Sequence, residues 1–437
     1  MSVEQSEIVT MDNNLKIQLI SIPGGKTTLF AVGFHAGSMY ESGFGPGSND
    51  GISHFLEHMF FKGTPNRTSK QINEAFTRLG ADLNAYTTYD HTLYYAKIPT
   101  RNLHQAAEIW KDLLVNKVIN REEFESEKQV ILQEIQLYAD MPEFDTNYEA
   151  RKKHFKGTPL EHNILGTHDS VGSITYEMMI DYVSRYYSLD NAIVTLVGGF
   201  DLEVEKQYLI SLFNDPILQP KINPIYPPQI NYISHRNTLN DISFHKKDFS
   251  KPLSYVTLTW TAPGVQSTNF IPLLLLNTYI GNSRTSLLYR EITSKGIASV
   301  CRYSFEALND VSISSIFFIT PPNEIENVFQ KVIDLLAHLH DLEITSEITS
   351  VLKEETWGAY LSEIEDPTNY GIDLSQKFVK FRHPLFLREF QEEIMKITPE
   401  DIQDAKKNLL EDLKMTVYAS GTIQDDWEPH FPDHSFM

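Results

Sequence analysis

The chain has 437 residues, 41% of them hydrophobic and 22% charged, with 21 Gly and 21 Pro. This is an ordinary globular composition, long enough for two or three domains of roughly 150 residues, and it excludes disorder, collagen and coiled coil as descriptions of the whole. Lys and Arg number 37 against 58 Asp and Glu, a net charge of −21, which repels phosphates and excludes nucleic acid as a main partner. Such a balance keeps a protein in solution, and its sharper reading is a negative cavity that attracts basic ligands. The single cysteine, Cys301, excludes an intrachain disulfide framework and fits a reducing compartment.

The opening residues, MSVEQSEIVTMDNNLKIQLI, lack the basic start and apolar run of a secretion signal. The longest apolar cluster, FIPLLLL at 270–276, falls far short of the roughly 20 residues that span a bilayer. The expectation is a cytoplasmic protein without a membrane segment. LKIQLISI and LFAVGFHAG read as strands, and LNAYTTYDHTLYYAKI alternates like a hairpin. Between them, NDGISHFLEHMFFKG from Asn49 to Gly63 reads as a helix opened by Asn49 or Asp50 and stopped by Gly63. Ile52, Phe55, Leu56, Met59 and Phe60 form its buried stripe. A further helix starts near Asn102, and another is capped at Asn120 with Glu123 three residues on.

His54 and His58 stand one turn apart on the first helix, so two imidazoles can face one ion with Glu57 beside it. The order is His-x-x-Glu-His, the inverted zincin arrangement. A third ligand is needed, and the helix after Asn120 offers Glu127 and Glu134, two turns apart on a shared face. Two neutral imidazoles and one carboxylate would hold zinc with a fourth position for water, whose pKa falls towards about 7.

The second half repeats the first. INREEFESEKQVILQEIQLYADMP ends at Pro142 and ITSEITSVLKEETWGAYLSEIEDP at Pro367; AIVTLVGG from Ala192 pairs with KMTVYASG from Lys414, and LYYAKIP with IFFITPP. An offset that stays between about 222 and 225 residues over such distances indicates a whole-domain duplication. The fold class expected is α+β: two homologous halves, each an antiparallel-rich sheet packed by helices. The boundaries expected are a metal-bearing catalytic domain at 1–214, a proline-rich linker at 215–235 and a duplicated domain without metal ligands at 236–437. In the repeat register Glu134 falls opposite Ala359 and Glu127 opposite Leu352, and FIPLLLLNTYIG, opposite the metal helix, has no His, Asp or Glu. The second half therefore cannot carry the same site.

HFLEHMFFKGT, NAYT followed by TLYY, the Glu127 and Glu134 pair and ILGT at 164–167 together resemble the inverted-zincin family of pitrilysin, insulin-degrading enzyme and the mitochondrial processing peptidase. The length and the two-half organisation look most like its processing-peptidase branch. The resemblance implies one zinc per chain held by His54, His58 and Glu134, Glu57 as general base, and Glu127 as a carboxylate orienting a ligand. It also implies a closed chamber for an extended peptide, built by two such chains or pairs of domains, with Asn84 and Ala85 on the edge strand that pairs with the substrate. One departure is KGIAS at Lys295–Ser299, where family members often carry a tyrosine. Arg302 and Tyr303 just beyond are candidate substrate contacts in its place; they equally suit ordinary strand positions, and a partner chain is the other source. The functional expectation is a zinc metalloendopeptidase acting on peptides, basic ones included, as a homodimer or a heterodimer with a related chain. The alternative is a non-catalytic subunit that keeps the fold for peptide binding or assembly.

Overall fold

A computed structural model describes residues 5–41, 48–214, 242–248, 251–281, 283–309, 311–381, 386–410, 413–424 and 427–429. The proline-rich segment at 215–235 lies outside them. In chain order the first half forms β1 (Gln5–Thr10), β2 (Lys16–Ser21), β3 (Thr27–Phe34), α1 (Ile52–Met59), α2 (Ser69–Arg78), β4 (Asp82–Thr87), β5 (Thr92–Pro99), α3 (Leu103–Val115) and α4 (Arg121–Ala139). It continues through α5 (Pro142–His154), α6 (His168–Ser173), α7 (Tyr176–Tyr186), β6 (Ala192–Gly198) and α8 (Leu202–Phe213). The second half contributes β7 (Ile242–Asp248), β8 (Ser254–Pro263), β9 (Val300–Glu306), β10 (Val311–Thr320) and β11 (Met415–Gly421), with helices among them.

Among the described residues two sheets result, ordered β1-β2-β6-β3-β5-β4 and β7-β11-β8-β10-β9. Leaving β1 aside, the orders correspond strand for strand. Each has one parallel pair, β2 with β6 and β7 with β11, and its other pairs are antiparallel. The duplication and the antiparallel-rich α+β class are thus present in the hydrogen-bonding pattern itself.

A single cut in the chain leaves out an exchange. The described contacts gather into one unit of Met1–Gln136, His162–Pro228 and Ser362–Phe386, and a second of Leu137–Glu161, Gln229–Leu361 and Leu387–Met437. Helix α5 from the first half packs on β8 and β11, and the Pro367–Phe381 helix from the second half packs on β3 and β6. Both exchanged helices begin with the prolines of the repeat, Pro142 and Pro367, at a position where the missing N–H is not needed.

The exchange explains why β3 reads as a nearly continuous apolar run: it is buried on both faces. On one face Leu29 and Ala31 pack with Leu93, Tyr86, Tyr95 and Ile372 of the incoming helix. On the other, Phe30 stacks on Trp110 of α3 at 5.5 Å, and Phe34 meets Phe60, Tyr94 and Tyr187. The incoming helix is also tied to the β4–β5 hairpin, where Gln376 donates to the Tyr86 hydroxyl at 2.7 Å and Lys97 pairs with Asp366 at 2.6 Å. In the second unit α5 is anchored by His154, whose buried ring nitrogens lie 3.1 Å from the Thr416 hydroxyl and 2.9 Å from that of Thr261.

Gly371 lets the exchanged helix seat on β3, since a Cβ there would lie 2.2 Å from the buried Leu29 Cδ2 and 3.2 Å from Val197 Cγ2. Gly371→Val is expected to lower stability by about 1–3 kcal/mol through overpacking. Denaturant unfolding followed by tryptophan fluorescence measures it, and an unchanged midpoint would contradict the packing described.

Candidate metal centre

The motif helix is shorter than its sequence pattern suggests and starts by a different device. It spans Ile52–Met59, with Gly51 as N-cap at φ +90 and no side-chain cap from its own segment. Neither Asn49 nor Asp50 caps it, because Asp50 is paired with His162 at 2.7 Å. The exposed amides are taken instead by Glu41, whose carboxylate accepts from Gly51 N at 2.8 Å and Ser53 N at 2.9 Å. Burial pushes the Glu41 carboxyl up to about 8, against the lowering effect of those bonds. A β-carbon at position 51 would sit 2.6 Å from the Leu165 carbonyl oxygen, so glycine is required for close approach as well as for its backbone angle. Gly63 does not stop the helix, which ends at Met59 with Phe60 as C-cap. The stripe of Ile52, Phe55, Leu56, Met59 and Phe60 is buried as expected.

The stripe turns His54 and His58 towards α4, their rings 4.7 Å apart between centroids. Helix α4 starts where the cap residue predicts, with Asn120 Oδ1 accepting from the amides of Glu122 and Glu123. Its buried Phe124 stacks on Phe55 at 4.7 Å, which brings the two helices together. Glu134 Oε2 then lies 3.4 Å from His58 Nε2 and 3.8 Å from His54 Nε2.

Among the described residues this is the one His/Cys/Asp/Glu group with metal-holding geometry, its donor atoms all within 4.8 Å of one another. Tetrahedral ligands about 2.0–2.2 Å from zinc stand roughly 3.3–3.6 Å apart, so the donor set fits one ion after small side-chain adjustments. His54 Nδ1 is buried without a hydrogen-bond partner. His58 Nδ1 lies 2.8 Å from Glu127 Oε1. With the proton held there, the neutral ring presents its Nε2 lone pair towards Glu134. The other Glu127 oxygen is paired with Lys62. Glu57 accepts a hydrogen bond of 2.7 Å from the Thr87 hydroxyl.

The electrostatics follow from burial and from the crowding of carboxylates. Burial, reinforced by His58, pulls His54 down to about 4. Burial also acts to lower His58, but Glu127, Glu134 and Glu57 outweigh it and hold that ring up at about 9. Burial raises the Glu57 carboxyl above its ordinary value. Glu134 is held below its ordinary value, mainly by the hydrogen bond with His58. Burial opposes the lowering of Glu127, which His58 and Lys62 nevertheless bring about.

Asn84 and Ala85 lie on β4, at the end of the first sheet. Asn84 is exposed and its Oδ1 accepts from the Ala85 amide at 2.8 Å. Arg302 and Tyr303 do not act together, because neighbouring strand residues point to opposite faces. The Tyr303 phenol is buried and donates to Asn277 Oδ1 at 2.8 Å. The Arg302 guanidinium pairs with Glu143 and lies over the Phe317 ring. Burial pushes the Cys301 thiol up to about 12, which leaves it unreactive. Sequence reasoning missed Glu41, Lys62 and Thr87. Lys62 and Thr87 carried a signal, their places in the HFLEHMFFKGT and NAYT motifs, and Glu41 carried none.

Fold and donor set together define a duplicated α+β protein of the inverted-zincin class. Residues 16–168 match the family model described as Insulinase (Peptidase family M16), and residues 173–355 the one described as Peptidase M16 inactive domain. An uncharacterized zinc protease of Rickettsia bellii is 30% identical over 331 residues, 74% of this chain and 75% of the relative. An uncharacterized zinc protease of Bacillus subtilis is 27% identical over 361 residues, 82% of this chain and 84% of the relative. The mitochondrial-processing peptidase subunit beta of Bos taurus is 26% identical over 447 residues, 97% of this chain and 86% of the relative. The crystal structure of a protease from Helicobacter pylori superimposes with a TM-score of 0.85 at 21% identity, covering 96% of this chain and all of that one. The chain belongs to the insulinase family, peptidase family M16. Among the described residues no helix is long and apolar enough to cross a membrane.

The raised His58 value fixes the sign of a pH effect. In the metal-free chain it stabilises the fold fully below the unfolded imidazole value of about 6.5, and this is lost as pH rises through about 9. A metal must displace the same proton, so zinc affinity is expected to climb roughly tenfold per pH unit between about pH 6 and about pH 9. Calorimetric titration of the metal-free chain in two buffers of different ionisation enthalpy measures the released proton. An affinity independent of pH across that interval would contradict the assignment of His58.

Proposed function

We propose that this protein is a zinc-dependent metalloendopeptidase that hydrolyses extended peptides, with one zinc per chain held by His54, His58 and Glu134. The observation that carries the reading is the convergence of the two imidazole Nε2 atoms on the Glu134 carboxylate, with Glu57 on the same helix. Bound zinc would supply Lewis acidity, polarising the scissile carbonyl and acidifying a water at the open position. Glu57 takes a proton from the attacking water and delivers it to the leaving amine. Its carboxyl, raised by burial, is nearer to matching both donors and acceptors near neutrality. Glu127 fixes the His58 tautomer, and Lys62 holds Glu127 in place.

The peptide would add to the free side of β4, with Asn84 and Ala85 contacting its backbone. That mode gives affinity with little demand on sequence. The surplus of acidic residues, 58 against 37 basic, favours basic peptides. Several relatives are named as subunits, which supports action as a dimer, with itself or with a related chain.

Glu57→Gln keeps the shape of the side chain and removes the base. Its rate on a long fluorogenic peptide is expected to fall on the order of 100-fold or more, with zinc content unchanged by metal analysis. Full activity in that variant would falsify the mechanism. The charge preference is read separately, from acidic and basic versions of one peptide at low and high salt, and equal, salt-insensitive cleavage would remove it.

A further inference from the structure

A carboxylate that moves a proton must present one oxygen to the water in a fixed direction. A glutamate side chain has three rotatable bonds, so something has to select its rotamer. The selection comes from β4. Ala85 and Thr87 share one face of that strand, and Asn84 and Tyr86 share the other. Tyr86 meets Gln376 of the exchanged helix, and Thr87 donates from Oγ1 to Glu57 Oε2 at 2.7 Å.

The position of Thr87 is itself fixed by the turn that follows. Thr88 N donates to His91 O at 2.8 Å, His91 N donates to the Thr88 hydroxyl at 3.1 Å, and the same hydroxyl lies 2.9 Å from Asp90 Oδ1. The turn carbonyls of Thr88 and Tyr89 accept from Ser38 N and Met39 N at 3.1 and 2.9 Å. Gly37 permits this approach, since a Cβ there would lie 2.5 Å from the Thr88 oxygen. Across the hairpin Thr92, the register partner of Thr87, donates to the Ala36 carbonyl at 2.7 Å.

We propose that Thr87 is a positioning residue for Glu57: its hydroxyl occupies Oε2, fixes the carboxylate plane and leaves Oε1 to exchange the proton. The inference rests on the reading of Glu57 as the general base. In the hydrolytic step an O–H bond of water breaks as an O–H bond to Glu57 forms and the water oxygen bonds to the scissile carbon, and the proton then passes to the amine nitrogen as the C–N bond breaks. Thr87 keeps its own proton throughout. The strand proposed to receive the peptide is thereby the strand that aims the base, so one element sets the relation between scissile bond and proton acceptor.

Thr87→Val removes the donor and keeps the branched shape, whereas Thr87→Ser keeps the donor. With zinc content matched, kcat of Thr87→Val is expected to fall on the order of 10- to 100-fold with KM within about twofold of the parent. Thr87→Ser is expected to stay within about threefold of the parent in both constants. Wild-type kcat in Thr87→Val, equal damage in both variants, or a change confined to KM overturns the proposal. Crystal structures of the metal-free parent and Thr87→Val give a readout that does not depend on turnover. One ordered Glu57 carboxylate in the parent and a displaced or multiple one in the variant supports the assignment, and an unchanged position overturns it even if activity is lost. Glu57→Gln run alongside separates the two ideas. Inactive Glu57→Gln beside fully active Thr87→Val removes the positioning role alone, while active Glu57→Gln removes the base and the inference with it.

Discussion

The whole centre depends on one constraint: two imidazoles a helical turn apart must share a carboxylate carried by a different helix. That places severe demands on where α1 and α4 lie, because an error of an ångström separates ligands that need a common neighbour about 2 Å away. Apolar packing meets the demand. Phe55 leaves α1 on the side opposite to solvent and stacks on Phe124, so the contact that joins the helices is made by the turns that carry His54 and Glu127. The buried Glu41 carboxylate then holds the first amides of α1, and helix start, helix register and ligand direction become one arrangement.

The duplication shows how such a centre can be specialised. The sheet order and the parallel and antiparallel pairings survive in both copies, while the segment opposite the metal helix is the apolar Phe270–Ile280 helix. Strand pairing is set by backbone hydrogen bonds and by burial, so it does not require the two histidines and the glutamate. The second copy keeps its architecture and contributes a structural element to the first, the Pro367–Phe381 helix.

Much of this was legible in the sequence where the determinants are local. The five-residue stripe of α1, the Asn120 cap and the β4–β5 hairpin follow from periodicity and capping within a dozen residues. The repeat follows from identical spacing to Pro142 and Pro367. What was not legible is non-local. Glu41 reaches Gly51 from across a segment with no helical or strand pattern, and no local motif marks it. The exchange of helices leaves no trace in the sequence of either helix, since an apolar face states that it is covered without stating by what. Tyr303 is a different case. Strand alternation alone separates it from Arg302, so their opposite facing on one strand was legible without the fold.

The exchange also bears on how the chain is made. The face of β3 and β6 in the first unit is covered by the Pro367–Phe381 helix. During synthesis that face therefore stays open while the whole intervening stretch is translated, and the nascent chain carries an uncovered apolar sheet for much of its time on the ribosome. The proposed metal ligands are all translated by residue 134, long before the sheet behind them is closed. Completion of that unit thus waits on the Pro367–Phe381 helix, and a product terminated between residues 134 and 367 retains the proposed ligands without the covering helix of its core.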